Sequence, residues 1–182
     1  MIILVGESGS GKTTILNELE KRGFKKAINH TTRAKRFGED ELKEYKFLSK
    51  EEFETMWKQG KLLQRAEFNG EFYGVSTESL ADNIASIMIV QSILDVKNTI
   101  QRLNLKNVKL KSFYIYVPEE ERVKRMVKRG DSIETIQKRL ILDKEKFKNV
   151  EKVVDYTVEN KNLEETVQKI LKLYETDKIT SD

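Results

Sequence analysis

The sequence predicts an α/β fold in which a parallel sheet is flanked by helices and interrupted by a small β-rich insertion. Three observations carry this expectation. Ile2 to Val5 is a short continuous apolar run that leads straight into a glycine-rich loop and a helix-like segment. Compact apolar runs recur at 86–90, 112–117 and 153–158, separated by segments with helical periodicity. Between the first and second runs, an Asn69-Gly70 pair separates two alternating stretches, the strongest short-range hairpin signal.

The elements follow in order. Residues 12–22 read as a helix with Ile15, Leu16 and Leu19 on one face and Gly23 as its stop. Glu44 to Leu48 alternates like a strand, and Ser49 followed by Glu52 is a capping-box signature for a helix through about Lys58. The run from Leu62 to Val75 reads as the hairpin. Ser86 to Val90 reads as a strand, 93–103 as a helix, and Ser112 to Val117 as another strand. Pro118 and three glutamates open a basic helix ended by Gly130, a charge order that suits the helix dipole. Asp131 with Glu134 has capping-box spacing for the next helix. Val153 to Val158 is the last strand and 162–175 the last amphipathic helix.

Composition excludes several function classes. The chain has 182 residues, 38% of them hydrophobic and 35% charged, against about 25% charged in an average domain. The 34 basic and 30 acidic residues leave a net charge of only +4, and no nucleic-acid recognition motif appears, so no nucleic-acid partner is expected. There is no cysteine, which excludes disulfides and thiolate zinc sites, and the single histidine, His30, excludes a histidine-rich metal site. No apolar run approaches the ~20 residues of a membrane span, and the start lacks a signal-peptide pattern. A cytoplasmic protein without a membrane partner is expected.

Gly6-Glu7-Ser8-Gly9-Ser10-Gly11-Lys12-Thr13 fits G-x-x-x-x-G-K-[ST], the phosphate-binding loop. Glycines let the backbone curl until its N–H groups converge on phosphate oxygens, and the following helix points its positive end at the same anion. Gly6, Ser8, Gly9, Ser10, Gly11, Lys12, Thr13 and Thr14 are therefore the candidate nucleotide-binding residues. Lys12 supplies a point charge to the β/γ phosphates, and the Thr13 hydroxyl is the candidate Mg²⁺ ligand. A phosphate chain with Mg²⁺ is the ligand that this loop leads one to expect. A chance match to the four fixed positions arises in about one chain in a hundred of this length. Here the motif also sits between a strand and a helix.

Other arginines stand where phosphate could be clamped. Arg33 and Arg36 flank the start of the insertion; Arg125 and Arg129, four apart, share a helix face; Arg139 lies on the helix after the Gly130 turn. In the hairpin, a two-residue turn at Asn69-Gly70 pairs Ala66 with Tyr73 and Gln64 with Val75. Alternation then puts Gln64, Ala66, Phe68, Glu71, Tyr73 and Val75 on one face, either a ligand wall or a half-buried core face.

At this point the chain resembles the guanylate kinase family, from residue 1 to about 160. The matching segments are GESGSGKTT, HTTRAKR, KEYKFLS, AEFNGEFYG, KRMVKRG with the downstream KRL, and VEN. The resemblance implies a P-loop NTPase core over 1–32 and 81–182, with a helical lid at about 119–139. It also implies an acceptor-nucleotide subdomain over 33–80. It implies phosphoryl transfer from ATP to a nucleoside monophosphate, GMP or dGMP first. Arg33, Arg36, Tyr45 and Tyr73 would bind the acceptor's phosphate. Lys12, Arg125, Arg129 and Arg139 would be catalytic, stabilising charge on the transferring group. The partners would be small nucleotide substrates, and the assembly a monomer or a homodimer.

The sequence departs from the family pattern at the base-reading positions. The family's glutamate falls at Gln64, its hydroxyl after Tyr-Gly at Val75, and its serine before His-Thr-Thr-Arg at Asn29. Its acidic pair after the central strand falls near Ile89 and Gln91, with Asp95 too far along to replace it, which leaves Mg²⁺ fewer outer-shell partners. A carboxylate matches the adjacent N1–H and N2–H donors of guanine, whereas an amide pairs with guanine, adenine or a pyrimidine. Altered base choice is therefore expected at Gln64. The alternatives are a kinase for another (deoxy)nucleoside monophosphate or a phosphorylated sugar, and a non-catalytic interaction module. An intact Lys12, Thr13 and lid arginine set weighs against the last.

Overall fold

The computed structural model describes residues 1–27, 29–35, 45–68, 70–81, 83–106 and 108–176. In chain order its elements are β1 (Ile2–Val5), α1 (Lys12–Lys21), β2 (Lys25–Lys26), β3 (Asn29–Thr31), β4 (Tyr45–Phe47), α2 (Lys50–Lys58), β5 (Ala66–Phe68) and β6 (Glu71–Val75). They continue with β7 (Ile84–Ile87), α3 (Val90–Arg102), β8 (Lys111–Tyr116), α4 (Glu119–Arg129), α5 (Ile133–Lys146), β9 (Tyr156–Glu159) and α6 (Leu163–Glu175). Among the described residues, no helix is long and apolar enough to cross a membrane.

β1 explains the layering. Its side chains have no exposed surface, and they alternate between two cores. Ile3 and Val5 join Met1, Val75, Ile93 and Val96 on one side; Ile2 and Leu4 join Ile15, Leu19, Val167 and Ile170 on the other. A strand buried on both faces has to read as a continuous apolar run. It stands at the centre of a five-stranded sheet of order β2-β7-β1-β8-β9, in which every pairing is parallel. Helices cover both faces, α1 packing against α6 and β7.

A second sheet of order β4-β3-β6-β5 is mixed: β3 runs parallel to β4 and antiparallel to β6. It begins at Asn29. α2 lies over it behind a complete capping box, Glu52 N donating to Ser49 Oγ at 3.1 Å and Ser49 N to Glu52 Oε2 at 2.7 Å.

Several expected boundaries move. The strand expected at 86–90 occupies Ile84–Ile87, and α3 starts at Val90 rather than 93. Ile89 is already the N-cap, because β7 ends where its register with β1 ends. Strand β9 starts at Tyr156; Val150–Lys152 is a 3₁₀ turn, so only the end of the 153–158 run is strand. Ser132, not Asp131, caps α5, its side chain accepting from Thr135 N. Asp131 is engaged elsewhere. β2 and β3 are too short for any period to show.

The hairpin register is half as expected. Ala66 pairs with Tyr73, but Gln64 does not pair with Val75: Leu62 bridges Ser76, and Leu63 N donates to Val75 O at 2.7 Å. One extra residue is therefore accommodated between Leu62 and Ala66, a β-bulge. Leu62 and Leu63 are both fully buried at this irregularity. The turn residue Asn69 and the strand position Glu44 lie outside the described residues.

Candidate active site

The loop between β1 and α1 curls as its glycines allow. Gly11 has φ +89°, and a Cβ there would stand 2.6 Å from Asn160 Nδ2. That amide sits after β9 and donates to Ser10 O at 2.8 Å, while Thr166 Oγ1 donates to its Oδ1 at 3.2 Å. Lys12 Nζ folds back over the loop, donating to Gly6 O at 2.6 Å, Glu7 O at 2.9 Å and Ser10 Oγ at 3.3 Å. Burial pushes its pKa down to about 8, partly offset by Asp143 and Glu7. A lysine held this way is a strong charge in a poorly solvated place, ready to exchange carbonyls for phosphate oxygens.

A cavity of about 610 Å³ opens over the loop. Ser8, Gly9, Gly11, Lys12, Thr13 and Thr14 form its floor, and Arg125, Arg129 and Arg139 its wall. The four-residue spacing of Arg125 and Arg129 on α4 brings both to the loop, and Arg139 joins them from α5. Thr13, in the first turn of α1, presents its exposed side chain to the same space. The donor set fits a triphosphate: backbone N–H groups, a helix N-terminus and four cations around one concavity. Thr13 is the one hydroxyl in the loop placed as the motif requires for Mg²⁺. Among the described residues, no group of three or more His, Asp or Glu side chains that could hold a metal forms.

The arginines are already engaged. Asp131 takes Arg129 through both carboxylate oxygens, Nε at 3.0 Å and an Nη at 2.5 Å, and stands 3.5 Å from Arg139. The Arg129 hydrogen bonds hold the Asp131 carboxyl below its usual range. Arg125 donates to Glu121 Oε1 and to Asn160 O, both at 3.1 Å.

The second sheet carries the expected acceptor residues. Asn29 pairs with Tyr45 on one side and Val75 on the other, and Thr31 with Tyr73. Tyr45 and Tyr73 meet edge to face at 6.0 Å, and the Arg33 guanidinium lies 5.5 Å from the Tyr45 ring and 5.4 Å from Phe47. Arg33, Tyr45 and Tyr73 therefore share one region. Arg36 lies outside the described residues. Val75 has no exposed surface and belongs to the core below the sheet. Gln64 is 5% exposed, with its Oε1 buried and lacking a hydrogen-bond partner. Ile89 and Gln91 are exposed at the start of α3, where the Gln91 side chain bonds Asp95 and burial raises the Asp95 pKa.

Five residues with a hand in the site were not singled out from the sequence, Asp143 among them, which accepts from Ser8 N at 2.7 Å. Asn160 had a signal, since VEN matches the family. Asp131 was read as a helix cap. Glu7 and Arg122 form a buried ion pair at 3.2 Å, which no local pattern announces.

Comparison with known proteins bears on the family. A family model described as Guanylate kinase matches residues 1–177. A guanylate kinase of Anaplasma phagocytophilum (strain HZ) is 31% identical over 175 residues, covering 93% of this chain and 83% of the relative. One from Prochlorococcus marinus (strain MIT 9312) is 31% identical over 180 residues, 97% of each chain. A crystal structure of guanylate kinase from Anaplasma phagocytophilum superposes with a TM-score of 0.66 at 25% identity, covering 95% of this chain and 82% of that one.

Proposed function

Because the chain belongs to the guanylate kinase family, and so to the nucleoside monophosphate kinases, we propose that it transfers the γ-phosphoryl group of ATP to GMP or dGMP, with base selectivity altered at Gln64. One observation carries the proposal: the phosphate loop, Lys12 and three arginines from α4 and α5 converge on a single cavity.

In this reading the core, 1–32 and 81–182, takes ATP, and the 33–80 subdomain takes the acceptor. Loop amides and Lys12 hold the β and γ phosphates. The Thr13 hydroxyl would hold Mg²⁺, which when bound would supply further charge neutralisation. Arg33, Tyr45 and Tyr73, with Arg36, hold the acceptor phosphate so that its oxygen lies in line with the γ-phosphorus. That oxygen forms the new P–O bond as the bond to the β-phosphate oxygen breaks, and ADP leaves with the electron pair. Arg125, Arg129 and Arg139 stabilise charge on the three equatorial oxygens. Positioning and neutralisation are what phosphoryl transfer asks of a protein. Closure of the lid at about 119–139 keeps water from taking the phosphoryl group.

Gln64 and Val75 favour a changed base preference. Val75 offers no polar group, and the buried, unpartnered Gln64 Oε1 is an acceptor that a base N–H could satisfy. ADP formation from ATP and Mg²⁺ with a panel of nucleoside monophosphates tests the assignment. Turnover with GMP and dGMP supports it. Turnover with another acceptor and none with either guanine nucleotide overturns it.

A further inference from the structure

The phosphate loop is gripped from outside the cavity by the two helices that carry the arginines. Asp143, near the end of α5, accepts a hydrogen bond at 2.7 Å from Ser8 N. Arg122, near the start of α4, has a side chain only 5% exposed; its Nη atoms lie 3.2 Å from Glu7 Oε1 and 3.4 Å from Ser8 O. Tyr114 Oη donates to the other Glu7 oxygen at 2.8 Å. Gly9 packs directly on this helix, where an added Cβ would stand 2.7 Å from Arg122 O.

The charges do not balance evenly. Arg122 has Glu7 at 3.2 Å as its near partner, while its distance to Asp143 is 3.9 Å. The closest partner of Asp143 is therefore an uncharged loop amide. Its carboxylate is 13% exposed, so solvent screens it poorly. Of the charged groups acting on Lys12, Asp143 acts most strongly. A negative charge thus sits against a loop whose amides and lysine are arranged for anions.

We propose that Asp143 is a resident anion on the phosphate loop, which lowers the loop's affinity for a triphosphate by taking the Ser8 amide and part of the Lys12 field. The inference rests on the ATP-donor reading above. A triphosphate brings several negative charges to the same loop, so the carboxylate opposes it whether or not it lets go of Ser8. Asp143 is a positioning residue that acts through the loop.

Asp143→Asn keeps an acceptor for Ser8 N–H and removes the charge. Isothermal titration of the full chain with ATP, and with inorganic tripolyphosphate, reads the effect. The dissociation constants of both fall three- to tenfold in the variant. A residue that merely supported the fold would give weaker binding when altered, so the sign separates the two roles. Unchanged or weaker binding by a cooperatively melting variant overturns the inference. If Asp143→Asn does not fold, Asp143→Ser is read by the same criterion. Wild-type protein that binds ATP, with no gain in the variant, sinks this inference alone; wild-type protein that binds neither probe sinks the donor reading with it.

Discussion

Gly11→Ala measures what holds the phosphate loop in shape. At φ +89° an alanine pays for a left-handed backbone with about 1–2 kcal/mol. Its Cβ would also stand 2.6 Å from Asn160 Nδ2, so that amide has to move. Moving it breaks the 2.8 Å bond to Ser10 O, inside a region where Asn160 is 6% exposed and Ser10 not at all. Leaving a buried carbonyl unpaired adds about 1–3 kcal/mol. The sum is about 2–5 kcal/mol, which for a chain of this length lowers Tm by roughly 4–20 °C. Gly23→Ala is the matched control: its φ is +92°, and nothing lies within 4 Å of an added Cβ. It carries the backbone cost without the collision. Circular-dichroism melts of the two variants, each with and without ATP, separate the contributions. Gly11→Ala melts several degrees below Gly23→Ala and loses most of the stabilisation by ATP. Equal melting points would refute the role given to Asn160.

Lys12→Ala lowers kcat by about 10²–10³-fold, the usual cost of losing one preorganised charge at a phosphoryl or acyl centre; a kcat within threefold of wild type removes Lys12 from the chemistry. The pH dependence has a definite sign. Burial depresses Lys12 to about 8 in the empty protein, and phosphate beside it raises that value again, so ATP binding takes up a proton above about pH 8. KM for ATP accordingly rises with pH through that region. For the unliganded fold, the unfolded chain binds the extra proton between about 8 and 10.5, so this group's contribution to stability increases with pH across that window. A flat ATP KM from pH 7 to 9.5 contradicts the assignment. Gln64→Glu restores an acceptor-only side chain, and the selectivity ratio for GMP over other monophosphates rises about 10- to 100-fold, the equivalent of one charge-assisted hydrogen bond; an unchanged ratio in the acceptor panel takes Gln64 off the base wall.

What could be read from the sequence was what is contiguous along it. The phosphate loop is eight adjacent residues, and its strand and helix adjoin it. Arg125 and Arg129 are linked by a helical repeat, and the Ser49–Glu52 cap is local. The hairpin register was legible only next to the turn, where Ala66 pairs with Tyr73; the extra residue between Leu62 and Ala66, which moves Gln64 off Val75, has no mark in the alternation. Asp131 was misread because a helix cap and an arginine partner look alike in sequence. Asn160 and Asp143 reach the loop from sequence separations of 150 and 135, distances at which no spacing rule operates.

The placement of β1 also governs how the chain can mature. Its two neighbours are β7 and β8, which begin at Ile84 and Lys111. A strand buried on both sides in the finished protein therefore emerges from synthesis with neither flank covered, and waits for more than a hundred residues before its second neighbour exists. During that interval it is an apolar edge open to pairing with other chains. The phosphate loop that follows β1 meets the arginines of its cavity only once residues 125–139 have been made.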